Sequence, residues 1–276
     1  MDRLDFEAAI RLLQPLAEKS VAAAQYLLGN TLVQRSNNIS DVEALKWFGK
    51  AAEKWRKEAN EGDVDAQLSI GRMYDQGDGV TKDDAEAVRW YRMGADRGNA
   101  DAQYEIGHRY CLGRGVERDV CEGLKWWRKA AEQGDADALY WLAMTFEHGS
   151  LLAFGMGGVT PDFFEALNLY RKAAELGYAE SQKRLGDIYR DGEGVAQNYA
   201  EALKWYRRAV DQDAKVSRFF STDADISLGD LYANGHGVPR DFAEAVTWYR
   251  KAADRGNDLA RTKLGIMYRK GLGVDR

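Results

Sequence analysis

The sequence predicts an all-α protein, an α/α solenoid built from one helix pair that recurs along the chain. The first observation is a step of 36 residues that joins Ala66 to Ala102, Ala102 to Ala138, and Ala224 to Ala260. The second is that four of these alanines, Ala66, Ala102, Ala224 and Ala260, open the same short motif. The third is the scarcity of proline, with three in 276 residues, which suits a largely helical chain.

The first helix of a typical pair carries the pattern A-x-x-x-[LI]-G-x-x-Y, as at Ala66, Ile70, Gly71 and Tyr74. This spacing places the marked residues on one helix face, and the small residues stand where helices approach closely. A short G-x-G-V loop follows, in which glycine supplies the positive φ that a tight turn between helices needs.

The second helix opens on Asp or Asn with Glu three residues later, continues as A-[VL]-x-W-Y-R-K-A-A and ends near a glycine. Such a pair is typical of a capping box, so we interpret these acids as helix caps and not as catalytic carboxylates. Five of the eight tryptophans, those at 47, 90, 126, 205 and 248, recur at one repeat position, which indicates core residues. The pairs are Asp83/Glu86, Asp119/Glu122, Asp162/Glu165, Asn198/Glu201 and Asp241/Glu244.

Insertions interrupt the period near residues 53–62, 150–156 and 212–223. We expect one solenoid over residues 1–276, with about six to seven helix pairs of which the first and last are incomplete. The sequence begins with a lone second helix and stops where another second helix would start. A solenoid cut there leaves an apolar face uncovered. Either the natural chain continues, or this end meets a partner or a second copy, so self-association is an expectation.

The repeated motif resembles the Sel1-like repeat family, a relative of the tetratricopeptide repeats, over about residues 5–276. The resemblance implies a right-handed, superhelical α/α solenoid that acts as a non-catalytic scaffold or adaptor for protein partners. Some bacterial members neutralise toxins, so an immunity protein against a secreted toxin is the second hypothesis. Some relatives carry a disulfide in each repeat; here only Cys111 and Cys121 could imitate one, and the alternative is that both stay reduced.

Composition and charge argue against two further classes of function, nucleic-acid binding and membrane insertion. The 39 basic and 44 acidic residues are interspersed and give a net charge of −5, so no basic face for nucleic acid is expected. No apolar run approaches the roughly 18 residues of a membrane span. The start lacks a signal peptide, so we expect a cytoplasmic protein, or a periplasmic or secreted one if a leader has been removed.

The partner-binding surface is predicted from the repeat phase. With the repeat alanine as position 1, positions 3, 7, 10 and 11 of the first helices should line the concave groove of the solenoid. Aromatic side chains concentrate in the middle of this row and favour a binding hot spot, although Tyr140 and Trp141 could instead pack on the neighbouring repeat. The candidate residues are Arg72, Tyr104, His108, Tyr140, Trp141, Met144, His148, Lys183, Asp187 and Arg190.

The insertion near residues 150–156 is unusually apolar for a surface loop. It contains Leu151, Leu152, Phe154 and Met156. Insertions in solenoids emerge as surface loops, often beside the binding face. These side chains would then either contact the partner or fold back over the neighbouring repeat.

An enzyme or small-ligand receptor is the rival hypothesis, with His108, Glu147 and His148 as its polar groups. It requires an enclosed pocket in which polar groups converge. No Ser-His-Asp or H-E-x-x-H arrangement is present in the sequence. A metal site of His108, Cys111 and His148 can be drawn, but we predict neither metal nor cofactor, because a closed site needs fixed ligand geometry.

Overall fold

The computed structural model describes residues 3–38, 40–151, 156–157, 160–216 and 223–273. Within these ranges the chain forms fourteen α-helices and one pair of two-residue antiparallel strands, which confirms the all-α fold class. The chain divides into two compact units, Met1–Gln133 and Gly134–Arg276. The organisation as a single solenoid over residues 1–276 stays a prediction.

In the first unit each helix packs against the next one in sequence. The core is made of alanines and large apolar side chains from both members of each pair. Its helices are α1 (Arg3–Glu18), α2 (Ala22–Ser36), α3 (Val42–Glu61), α4 (Val64–Gln76), α5 (Asp84–Asp96), α6 (Ala100–Leu112) and α7 (Val120–Glu132).

The second unit repeats this sequential packing of neighbouring helices. Strands β1 and β2 lie in the turn that follows its first helix. The elements are α8 (Ala136–His148), β1 (Ser150–Leu151), β2 (Met156–Gly157), α9 (Phe163–Glu175), α10 (Ala179–Asp191), α11 (Tyr199–Val216), α12 (Asp223–Asn234), α13 (Phe242–Asp254) and α14 (Asp258–Lys270).

The glycine at repeat position 6 lets the two helices of a pair touch through an aromatic ring. A Cβ atom on Gly71 of α4 would lie 2.7 Å from Cε1 of Tyr91 on α5, and one on Gly107 would lie 2.6 Å from Cδ1 of Trp127. Both rings are fully buried. The predicted close approach of helices at small residues is therefore confirmed.

The acids before the second helices are caps, as predicted. Asp83 Oδ1 accepts a hydrogen bond from the backbone N–H of Glu86 at 3.0 Å, and Asn198 Oδ1 accepts one from Glu201 at 3.1 Å. The same bond recurs at α7, α9 and α13. These side chains satisfy helix N–H groups that have no partner within the helix.

The insertions take different forms. Residues 53–62 lengthen a helix, because α3 has 20 residues whereas α5 has 13, and Gly62 caps the C-terminal end of α3. The segment 150–156 includes β1 and the start of β2. Near 212–223, α11 continues to Val216, and residues 217–222 lie outside the described residues.

Candidate functional site

A pocket of about 240 Å³ lies in the second unit, between side chains of α8, α10, α11 and α12. Tyr140 and Met144 of α8 form one wall, and Lys183 and Asp187 of α10 form another. These four residues occupy repeat positions 3 and 7 of two successive first helices. The structure thus brings together four of the ten candidate residues that were selected from the sequence.

The sequence reasoning missed the other charged residues of the pocket. Glu180 and Arg184 of α10 and Asp223 of α12 also line it, and Ala209 and Ala224 complete the lining. Glu180 precedes repeat position 1 and Arg184 occupies position 4, so a count restricted to positions 3, 7, 10 and 11 passes over both.

An aromatic cluster supports the Tyr140 wall. The half-buried Tyr140 ring lies 4.9 Å from the ring of Tyr178, 5.8 Å from that of Trp141 and 6.1 Å from that of Tyr170. Tyr140 therefore packs against Tyr170 of α9 and against Tyr178, which precedes α10, and it also lines the pocket. Burial, followed by the nearby negative charge of Glu180, raises the pKa of the Tyr140 hydroxyl.

Glu147 at the end of α8 is held by the helices around it. Its carboxylate accepts a hydrogen bond from the Tyr170 hydroxyl at 2.7 Å and another from Arg184 Nε at 2.9 Å. His148 Nε2 lies 3.6 Å from it, and the His148 side chain is more exposed. Burial alone would raise the pKa of Glu147, but the hydrogen bonds from Arg184 and Tyr170 outweigh it and lower the pKa.

The predicted residues of α10 form an ion network of their own. Asp187 accepts a hydrogen bond from the Tyr206 hydroxyl at 2.7 Å, and Lys183 Nζ lies 2.7 Å from its other carboxylate oxygen. Arg190 lies 3.2 Å from Asp187 and 2.6 Å from Asp191. The Asp187 side chain is only 9% exposed, so its charge is largely used within the protein.

The remaining candidates, Arg72, Tyr104 and His108, belong to the first unit. Arg72 forms ion pairs with Asp101 at 3.7 Å and Glu105 at 3.4 Å. The half-buried His108 ring lies 6.0 Å from that of Tyr104. The pKa of His108 is lowered to about 4, chiefly because the ring is buried. The positive charges of Arg109 and Arg114 act in the same direction, and the negative charge of Asp75 opposes them.

The polar groups of the rival enzyme hypothesis do not share one unit. His108 lies in the first unit, whereas Glu147 and His148 lie in the second. Among the described residues, no three His, Cys, Asp or Glu side chains are placed to hold a metal ion. Cys111 and Cys121 are free thiols, one buried and one exposed, and burial raises the pKa of Cys111 to about 12.

The apolar insertion is described only in part. Leu151 in β1 pairs with Met156 in β2. Leu152 and Phe154 lie outside the described residues, so both interpretations of this loop remain predictions. In the part of the chain that the structure describes, no helix combines the length and apolar character needed to cross a membrane.

This chain is similar to several solved structures. A Sel1 repeat protein from Oxalobacter formigenes is 34% identical, with a TM-score of 0.71, over 81% of this chain and 86% of that one. Escherichia coli c5321, described as a protective antigen of uropathogenic strains with an SLR fold, is 28% identical, with a TM-score of 0.54, over 97% of this chain and 68% of that one. The immunity protein Pa5087 from Pseudomonas aeruginosa is 22% identical, with a TM-score of 0.48, over 75% of this chain and 74% of that one.

Among curated proteins, none matches this sequence. The sequence profile of the Sel1 repeat, in contrast, matches seven times and covers most of the chain. The matched residues are 22–54, 64–99, 100–135, 136–178, 179–213, 222–257 and 259–276. The chain belongs to the Sel1 repeat family.

Proposed function

We propose that this protein is a non-catalytic interaction scaffold that binds a segment of a partner protein at the pocket of the second unit. The observation that carries the proposal is that Tyr140, Met144, Lys183 and Asp187 line one pocket. The repeat phase selects the same four side chains as candidates for partner binding. Membership of a family of interaction scaffolds supports the class of function, and the pocket supports the surface.

The chemistry of the pocket favours a protein segment over a small-molecule substrate. Its volume of about 240 Å³ lies below the range of about 300–1,000 Å³ typical of sites for drug-sized ligands. Lys183 and Arg184 are already engaged by Asp187 and Glu147. A reactive site would instead need polar groups free to meet a substrate. A tyrosine beside a methionine is well suited to grip side chains of a partner.

Affinity purification from the source organism tests the proposal. The wild-type chain and a Tyr140→Ala variant serve as baits, with Phe164→Ala as the matched control. Phe164 lies in the same unit, is 68% exposed and does not line the pocket. We expect Tyr140→Ala to lose a partner that the wild type and the control both retain. Equal recovery of every partner by the three baits would contradict the proposal.

Two narrower hypotheses remain predictions within this proposal. If the partner is a secreted toxin, co-expression of this chain should restore growth to cells that produce the captured partner, and no rescue would reject the toxin hypothesis. If the chain associates with itself, light scattering should give a mass that increases with concentration. A constant monomer mass would reject self-association through the C-terminal end.

The proposal also includes the cellular compartment of the protein. We propose the cytoplasm as the compartment of this scaffold. Fractionation of source cells, probed with an antibody to this chain, checks this, and recovery from the periplasm or the medium would contradict it.

A further inference from the structure

The start of α10 departs from the capping rule that governs most first helices of the repeats. Asp63, Asn99, Asp135 and Asn257 each accept a backbone N–H with their side chains, at 2.7–3.0 Å. Tyr178 occupies the equivalent place before α10 and makes no side-chain cap bond. Replacing such a cap by a residue that cannot accept this bond generally weakens a helix.

The ring of Tyr178 has a different use. It lies 4.9 Å from the Tyr140 ring, the shortest of the ring separations that Tyr140 makes in the described residues. Tyr178 therefore packs against Tyr140, and Tyr140 lines the pocket. The side-chain cap is therefore absent where an aromatic ring packs against the pocket wall. A local departure of this kind is expected at a functional site.

The charged side chains that line the pocket favour a cationic ligand. Three carboxylates, those of Glu180, Asp187 and Asp223, line it against two cationic side chains. Both cations are engaged, because Lys183 lies on Asp187 and Arg184 lies on Glu147 and Glu193. The Glu180 side chain makes no hydrogen bond or ion pair with the described residues. It is therefore a carboxylate available to an incoming group.

We infer that this pocket receives a lysine or arginine side chain of the partner protein. The methylene stem would lie against Met144 and the face of Tyr140, and the cationic group would meet Glu180. Long basic side chains bury their stems and keep their charge near water or an acid, and a cation over a tyrosine face gains further attraction. The inference rests on the proposed function, because it names the chemistry of the partner at the same surface.

The volume agrees with one side chain as occupant. The pocket volume of about 240 Å³ exceeds what one water needs and lies below the range of sites for drug-sized ligands. An acidic side chain would face the unpaired Glu180 and two cations that are already engaged. A neutral aliphatic side chain would leave Glu180 without a counter-ion. Charge complementarity therefore selects the basic occupant.

The test uses the whole chain with ¹³C-methyl methionine, observed by NMR. The chain has six methionines, and Met144→Leu identifies the Met144 signal. The probes are the N-acetyl N-methylamides of arginine, glutamate and norleucine. We expect the arginine probe to shift the Met144 signal saturably, and the other two to leave it in place.

A matched pair of variants isolates the role of Glu180. Glu180→Gln removes the charge with little change of shape, and we expect about fivefold weaker binding of the arginine probe, as for a partly exposed charge pair. Glu175→Gln removes an exposed charge of α9 outside the pocket and should bind like the wild type. The inference is overturned if arginine leaves Met144 unshifted, if norleucine or glutamate binds as well, or if Glu180→Gln binds unchanged.

Failure of this inference can be told apart from failure of the proposed function. If a partner depends on Tyr140 in affinity purification but the arginine probe does not bind, the scaffold proposal stands and the basic occupant is rejected. If the probe binds but every partner survives Tyr140→Ala, the cation pocket stands and its role in partner binding is rejected.

Discussion

A single methyl group at repeat position 6 should have opposite effects in two repeats. The perturbation is glycine to alanine at Gly71 in α4 and at Gly265 in α14. A Cβ atom on Gly71 would lie 2.7 Å and 2.8 Å from Cε1 and Cδ1 of Tyr91. A Cβ atom on Gly265 would have nothing within 4 Å. The two glycines therefore share the same position in the helix, but only Gly71 has an aromatic ring beside it.

The magnitude follows from two opposing effects. Alanine in a helix interior is favoured over glycine by about 0.5–1 kcal/mol. Ordinary carbon contacts lie at about 3.5–4.0 Å, so the Tyr91 ring would have to move by roughly 1 Å. That ring is fully buried, and overpacking of this kind typically costs about 1–3 kcal/mol. We expect Gly71→Ala to lower the free energy of unfolding by about 1–2 kcal/mol and Gly265→Ala to raise it by up to about 1 kcal/mol.

Urea denaturation followed by circular dichroism measures both changes, and an unchanged slope would show that the midpoint reports stability. If Gly71→Ala were as stable as Gly265→Ala, the ring would not set the helix spacing, and the packing argument would be refuted.

Two further predictions concern buried charge in the first unit. Arg109 is 3% exposed and donates to Asp75 at 2.5 Å. Asp75→Ala should lower the free energy of unfolding by about 3–5 kcal/mol, because it leaves the buried charge of Arg109 unpaired. Arg109→Met leaves no buried charge unpaired and should change this free energy much less. Equal losses of the two variants in urea denaturation would refute this prediction. Since burial lowers the pKa of His108 from 6.5 to about 4, the folded state binds fewer protons than the unfolded state between these values. The contribution of His108 to the free energy of unfolding should be fully present above pH 6.5. It should fall by at most about 3 kcal/mol as the pH is lowered towards 4. His108→Gln should flatten this part of the pH profile, and an unchanged profile would contradict the cause.

The repeat architecture could be predicted because each of its determinants is local in sequence. The close approach at Gly71 and the cap at Asp83 each follow from a residue type at a fixed offset. Such offsets fix which face a side chain occupies before any tertiary contact is known. Sequence reasoning therefore recovered the fold class, the caps and the close approach of helices.

The site could be predicted only in part, since it depends on contacts between repeats. The repeat phase identified Tyr140 and Met144, but it could not show that Asp187 is largely buried against Tyr206. It also could not reveal Glu180, which lies outside the counted positions and becomes important only beside Tyr140. One signal was available: Tyr178 stands where four sister repeats carry Asp or Asn, and that departure could have drawn attention to this surface.

The most direct test of the proposed binding surface is photo-crosslinking in living source cells. Benzoylphenylalanine replaces Met144 in the pocket in one strain and the exposed Phe164 in another. Irradiation should join a partner protein to the chain through position 144 and not through position 164. Adducts from position 164 alone, or no adduct from position 144, would contradict the assignment of the pocket as the partner-binding surface.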